Sequence, residues 1–227
     1  MLIAIPEVLN ATQVDACREI MDQAEWVDGT VTAGIQSGQV KKNAQIIEGS
    51  TESKLLGDII LDALAINQTF ISAALPQKIF PPLFNRYAGG QHFGSHVDNS
   101  IRAVKGTPVR IRTDLSATLF LSSPEEYEGG ELVIEGNYGA QEIKLNKGDM
   151  VLYPSTSLHH VRPVTRGTRV CSFFWMQSMI RDSGQRELLY DFDQSIQELS
   201  AEKGVDNPLA VKFSGLYHNL IRRWADC

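Results

Sequence analysis

Cysteine is scarce in this chain: Cys17, Cys171 and Cys227 are the only three, far apart and without a CxxC pair. That scatter excludes a disulfide framework and a cysteine zinc site, and it reads as reduced thiols in a cytoplasmic protein. Long apolar runs are missing too. No stretch approaches the roughly 18–20 apolar residues of a membrane span. The apolar start is broken at Pro6 and Glu7 and carries no basic leader, so neither a membrane anchor nor a secretory signal is expected. Positive charge is in deficit, with 21 Lys and Arg against 27 Asp and Glu and a formal charge of −6. Phosphate binding needs a basic surface, so nucleic acid is not expected as a general partner. Internal repeats and low-complexity linkers are absent.

What remains is an ordinary globular composition, 43% hydrophobic and 21% charged over 227 residues, enough for a substantial core. Three zones differ in periodicity. In residues 1–78, Val14, Cys17, Met21 and Ala24 recur at helical spacing over 12–26. Leu55, Leu56, Ile59, Ile60, Ala63 and Leu64 mark a second helix from Thr51 to about Ile66, with Ser50 or Thr51 as N-cap. Residues 29–49 between them read as loops and short strands. Residues 79–178 change to short strands at 83–88, 114–121, 131–135, 141–145, 149–153 and 168–176. Gly89-Gly90, Gly129-Gly130, Asn137-Tyr138-Gly139, Asn146-Lys147-Gly148 and Arg166-Gly167 supply their turns. Such spacing without intervening helices indicates an antiparallel sandwich or barrel, braced by the helices before it. Residues 179–227 are helical again. Leu188, Leu189, Phe192, Ile196 and Leu199 form one stripe. Asn207 caps a last helix with Pro208 at its first position, and Leu209, Phe213, Leu216, Leu220 and Trp224 form its apolar face. That face must bury against the sheets or a second subunit, so a homodimer through the C-terminal helices is one expectation.

The chemistry concentrates in a few residues. His96 and Asp98 are two apart, and on an extended strand such positions face the same side and can reach one ion. With His159 they make two imidazoles and one carboxylate, the set that leaves open positions on a non-haem Fe(II); the same set also suits zinc. His159 and His160 are neighbours on a strand and face opposite ways, so only one serves as a ligand. Arg169 alternates with the apolar Cys171, Phe173 and Trp175, and a charge on such a face calls for a partner. A guanidinium suits a carboxylate because it bonds both oxygens at once. Asn85 and Tyr87 share one strand face. His92 reads as structural or exposed, and His218 lies on the tail helix. Arg102, Lys105, Arg110 and Arg112 read as scattered charges of a solvated loop; attraction of an anionic substrate is the alternative.

These residues belong to a longer run of motifs. Asn85-Arg86-Tyr87-Ala88-Gly89-Gly90 leads through Phe93-Gly94 to His96-Val97-Asp98. Glu128-Gly129-Gly130-Glu131-Leu132 and Lys147-Gly148-Asp149-Met150-Val151-Leu152-Tyr153-Pro154 follow. Ser157-Leu158-His159-His160-Val161-Arg162-Pro163-Val164 and Gly167-Thr168-Arg169 complete the order. The run resembles the 2-oxoglutarate- and Fe(II)-dependent dioxygenases of the prolyl-4-hydroxylase-like group, and more closely the bacterial PKHD-type hydroxylases. The resemblance spans about residues 80–178 and extends over the helical tail.

It implies a mainly β fold with flanking helices: a double-stranded β-helix (jelly-roll) core holding iron between its sheets, plus a C-terminal helical extension. It implies Fe(II) on His96, Asp98 and His159, the last selected because it lies two residues before the valine of His-x-Val-x-Pro-Val. Arg169 is then the anchor of the 2-oxoglutarate C5 carboxylate. Tyr87 is either a second contact to that co-substrate or a sheet-core tyrosine. The reaction implied is hydroxylation of a peptidyl residue or a small metabolite, consuming O₂, releasing succinate and CO₂, with ascorbate as a reductant. Two other readings stand beside it. One is a zinc-dependent hydrolase or isomerase on a cupin-like barrel, which has no need of Arg169. The other is a non-catalytic metal-binding jelly-roll, in which a ligand or the arginine is usually lost.

Overall fold

The computed structural model describes residues 1–32, 34–136 and 139–226, with only the backbone at 35 and 37. Cys227 and the Asn137-Tyr138 part of one expected turn lie outside the described residues. In chain order, β1 (Ile3–Ile5), α1 (Ala11–Gln23), β2 (Trp26–Asp28), α2 (Ile35–Gln39), β3 (Lys41–Lys42) and β4 (Ala44–Ile46) come first. The helices α3 (Thr51–Ile66) and α4 (Gln68–Ala74) follow, then β5 (Pro76–Ile79), β6 (Leu83–Ala88) and β7 (His92–His96). Next are β8 (Ile101–Ala103), β9 (Arg110–Arg112), β10 (Leu115–Phe120), β11 (Tyr127–Gly129) and β12 (Leu132–Gly136). β13 (Gly139–Ile143), β14 (Met150–Pro154), β15 (His159–Val161) and β16 (Val164–Ser178) complete the strands, and α5 (Ser183–Lys203) and α6 (Pro208–Trp224) end the chain.

The major sheet runs β1-β14-β10-β16-β6-β4-β2, with β5 and β11 also paired to β16. The minor sheet runs β13-β12-β15-β7-β3, and β8 with β9 forms a separate hairpin. All the pairings are antiparallel, as the strand spacing implied. Together they form the expected jelly-roll core.

Strand alternation divides the major sheet into two working faces. Leu115, Ala117 and Leu119 of β10, Met150 and Leu152 of β14, and Val170, Phe174 and Met176 of β16 pack against the helices. From α1 come Val14, Cys17 and Met21, and from α3 Leu56, Ile60 and Leu64. The opposite face sends Phe120, Val151, Tyr153, Cys171 and Tyr87 into a second core with Leu132, Ile134 and Val161 of the minor sheet. The site lies on that inner face.

Helix ends follow their caps. Asn10 and Gln13 form a reciprocal capping box on α1, with bonds of 2.9 and 3.0 Å. Ser50 caps α3, whose limits match the expected 51–66. The short helices α2 and α4 were not anticipated. Asn67 ends α3 and also caps α4 through its side chain, 2.8 Å from the Phe70 amide, so the chain bends by 85° there. Seven residues are too few to display a helical period. Among the described residues no single helix is long and apolar enough to cross a membrane.

The tail forms its two helices with Asp182 and Asn207 as caps and Pro208 at the first position of α6. The apolar faces differ from expectation. Leu189 and Ile196 are buried with Tyr217 against Leu75 and Ile180, whereas Leu188, Leu209 and Leu216 are exposed. The inward face of α6 follows Ala210, Phe213, Tyr217 and Ile221, one residue on from part of the expected stripe, because α5 docks Phe192 between Phe213 and Tyr217. A second correction concerns the basic segment after His96. It is a hairpin in which Arg112 is held by Asp114 at 2.7 and 3.0 Å and Arg102 turns onto aromatic rings, while Lys105 and Arg110 are exposed.

Candidate functional site

His96 ends β7 and His159 begins β15, and the two stand directly opposite each other in the pairing of those strands. Opposed residues on adjacent strands bring their side chains together, here with ring centroids 4.2 Å apart. Asp98 completes the group, and the three residues present ligand atoms all within 4.8 Å of one another. Its route differs from the expected one: β7 stops at His96, so Asp98 sits on irregular chain beyond the strand. What orients it is Ser116 of β10, whose hydroxyl donates to Asp98 Oδ2 at 2.6 Å. The Ser155 hydroxyl lies 2.7 Å behind Ser116 and completes the relay.

Both imidazoles are fixed by their own chain. His96 Nδ1 lies 2.8 Å from the Gly94 carbonyl, and His159 Nδ1 lies 3.0 Å from the Ser157 carbonyl. Only a protonated Nδ1 can donate to a carbonyl, so in the neutral ring the lone pair is on Nε2, the form that binds a metal. Burial and the neighbouring His159 push the His96 pKa down to about 4, keeping that imidazole neutral at ordinary pH. Phe93 stacks on His96 at 3.6 Å between centroids, and Tyr153 meets His159 edge-on. Two imidazoles and a carboxylate, aimed at one point and held from behind, fit a divalent iron.

Arg169 shares the same pocket. It is only 2% exposed, and its Nε is buried with no hydrogen-bond partner. Among the described residues no carboxylate lies in ion-pair reach of it. Its guanidinium instead sits 5.4 Å from the Tyr87 ring centre and 5.2 Å from that of Phe120. Tyr87 pairs with Arg169 across β6 and β16, and burial pushes its hydroxyl up to about 12, so it is neutral. A buried cation without an anion, facing an open cavity, is a receptor for one.

Asn85 also lines the pocket, with its Oδ1 unpartnered. His160 points the other way, His92 is half-buried on β7, and His218 lies on α6, all outside this cluster. Sequence reasoning missed Ser116, Ser155 and Lys41. Ser116 and Thr118 are polar in a strand buried throughout, which is a usable signal; Lys41, on a two-residue strand, offered none.

Known proteins match most of this chain. The 2OG-Fe(II) oxygenase superfamily model matches residues 82–177, and the PKHD-type hydroxylase C-terminal domain model matches 183–226. A PKHD-type hydroxylase of Methylobacillus flagellatus is 62% identical over 226 residues, spanning 100% of both chains. Among solved structures, a Pseudomonas putida prolyl-4-hydroxylase is 21% identical with a TM-score of 0.52, covering 78% of this chain and 92% of its own. HygX from Streptomyces hygroscopicus, with nickel and 2-oxoglutarate bound, is 13% identical with a TM-score of 0.52, covering 79% and 84%. At such identities the two structures speak for the fold alone.

Proposed function

This chain belongs to the PKHD-type hydroxylases of the 2OG-Fe(II) oxygenase superfamily, and from that premise we propose that His96, Asp98 and His159 hold its iron, while Arg169 with Tyr87 holds its 2-oxoglutarate. Membership makes it an Fe(II)- and 2-oxoglutarate-dependent dioxygenase and hydroxylase. The observation that carries the residue assignment is the convergence of two Nε2 atoms and a carboxylate beside a buried, unpaired guanidinium.

Fe(II) with 2-oxoglutarate and O₂ supplies an oxidation that places one oxygen atom on a substrate carbon and the other in succinate, with release of CO₂. The chain supplies position and enclosure. His96 and His159 turn Nε2 to the metal because the Gly94 and Ser157 carbonyls hold their Nδ1 protons. Asp98 adds negative charge, and Ser116 fixes its rotamer. Arg169 binds the distal carboxylate and sets the direction in which the co-substrate lies. Phe93, Tyr153 and Phe173 exclude water around these groups.

The remaining parts of the reading concern setting. Residues 1–78 brace the core, 79–178 form the oxygenase unit and 179–227 are an extension through which two chains pair. Ascorbate is the reductant that maintains Fe(II), and the compartment is the cytoplasm. Neither nucleic acid nor membrane is a partner. The substrate is a peptidyl residue or a small metabolite. A zinc-dependent hydrolase or isomerase has no use for the unpaired charge of Arg169.

The test is succinate formation from 2-oxoglutarate in air with added Fe(II). Turnover that needs iron, vanishes in His96→Ala and Asp98→Ala, and shows a raised 2-oxoglutarate KM in Arg169→Ala is expected. Full turnover in either ligand variant would sink the assignment.

A further inference from the structure

A second group of cations lies in the same pocket, apart from Arg169. Lys41 of β3 is 5% exposed, and its Nζ donates to Thr32 Oγ1 at 3.0 Å while standing over the rings of Phe93 and Phe173. Arg102 of β8 stacks on Trp175, 3.9 Å from its ring centre, and on Phe80 at 5.0 Å. Its Nη2 donates to the Thr32 carbonyl at 3.4 Å, and its Nε is buried without a hydrogen-bond partner. Both side chains therefore converge on Thr32, and both line the cavity that holds the metal ligands. Among the described residues neither forms an ion pair.

Two buried like charges on one wall cost free energy, because each loses hydration and repels the other. Burial first and then Arg102 pull the Lys41 pKa down to about 7. Asp98 is the first carboxylate to oppose this effect at both cations, but its charge is committed to the metal; Asp28 acts less strongly on Lys41 and Glu48 on Arg102, and neither is within ion-pair distance. Arg169 stands elsewhere, among Tyr87, Phe120 and Tyr127. Phe173 and Trp175, which carry the second group, lie four and six residues further along β16. At a strand rise of about 3.3 Å per residue that is roughly 13–20 Å of strand, more than the five-carbon 2-oxoglutarate spans.

Resting on the hydroxylase reading, we infer that Lys41 and Arg102 form a substrate subsite that captures a carboxylate, so that the molecule hydroxylated is an acid. The guanidinium fork matches two carboxylate oxygens. The ammonium supplies a second charge beside it. The rings under the cations, with Phe93 and Val97 nearer the ligands, form an apolar floor for the carbon body. Arg102 is the central residue of β8, paired with Ile111 in a hairpin separate from the main sheets.

The test is diffraction from crystals of the protein loaded with Mn(II) and 2-oxoglutarate and soaked in sodium bromide, read by bromide anomalous scattering. A bromide between Lys41 and Arg102 is expected, displaced by sodium acetate but not by acetamide, and lost in Lys41→Met and Arg102→Met crystals. Bromide confined to the outer surface of the wild-type protein, 2-oxoglutarate itself seated on the pair, or phosphate displacing the ion better than acetate would each overturn the inference. The wild-type result decides it even if a variant fails to fold. Iron-dependent succinate formation by the wild type is a separate measurement, so failure of the hydroxylase reading is distinguishable from failure of the subsite.

Discussion

Replacing Arg169 by methionine should make the protein more stable and less able to bind its co-substrate. Methionine keeps much of the length and removes the charge. In the free protein that charge is buried at 2% exposure and faces no anion. Tyr87, Tyr127 and Tyr153 surround it, and burial raises all three hydroxyls far enough to keep them neutral. An unpaired buried ion costs several kcal/mol. The two ring contacts, at 5.4 and 5.2 Å, lie near the outer limit of cation–π attraction and offset about 1–2 kcal/mol together. Desolvation therefore wins, and Arg169→Met should gain about 1–3 kcal/mol. For a domain of this size that is a melting temperature higher by roughly 2–12 °C. With 2-oxoglutarate at about 100 times its Kd the wild type gains about 2.7 kcal/mol. Loss of the charge-assisted pair weakens binding by about 2–5 kcal/mol, which leaves the variant under about 1 kcal/mol of ligand stabilisation at the same concentration. Thermal melts with Mn(II) in place of iron, with and without 2-oxoglutarate, read both effects without turnover. A variant that melts below the wild type when free, or that gains as much from 2-oxoglutarate, would refute the reasoning.

Ser116→Ala removes the 2.6 Å bond to Asp98 and should weaken metal binding about 10–100-fold with little change in melting; an unaltered metal Kd in a titration would rule out the positioning role. Gly130→Ala places a Cβ 2.8 Å from Val164 Cγ2 and 3.1 Å from Arg169 Cδ at a φ of +70°. It should cost about 1–2 kcal/mol from the backbone alone and raise the KM for 2-oxoglutarate, and normal values of both would show that the close approach does not matter. Leu189→Ala should cost about 2–5 kcal/mol in a denaturant titration, whereas Leu188→Ala should stay within about 0.5 kcal/mol. Equal losses would contradict the facing of α5.

The parts of the fold that could be read from the sequence are those set by local physics. β6 was legible because its alternation ends at Gly89-Gly90, both with positive φ, and α3 because Ser50 caps it. His96, Asp98, His159 and Arg169 were legible through the order of the motifs, and the structure brings all four into one pocket. The facing of the tail helices was not, since adjacent leucines such as 188 and 189 allow two stripes and only docking against Leu75 and Ile180 chooses between them. Ser116 was missed because its partner is 18 residues away. Arg102 was read only as one charge of a basic loop, with an anionic substrate as the alternative, and Lys41 not at all, because their meeting depends on a two-residue strand and a three-residue strand, each too short to carry a pattern.

The two faces of the major sheet explain why stability and chemistry are joined in this chain. On β16, Val170, Phe174 and Met176 hold the helices, while Arg169, Phe173 and Trp175 face the pocket. β10 divides in the same way, with Leu115, Ala117 and Leu119 toward the helices and Ser116 and Thr118 toward the site. Because the alternation has period two, a slip of one residue in either strand would exchange the faces completely. It would put Arg169 against the apolar helices and Val170 into the pocket. Burying that charge among Leu56, Ile60 and Phe84 would cost several kcal/mol. The apolar packing against α1 and α3 therefore does more than stabilise: it selects the register in which Arg169, Ser116 and Tyr87 point at the same cavity as His96, Asp98 and His159.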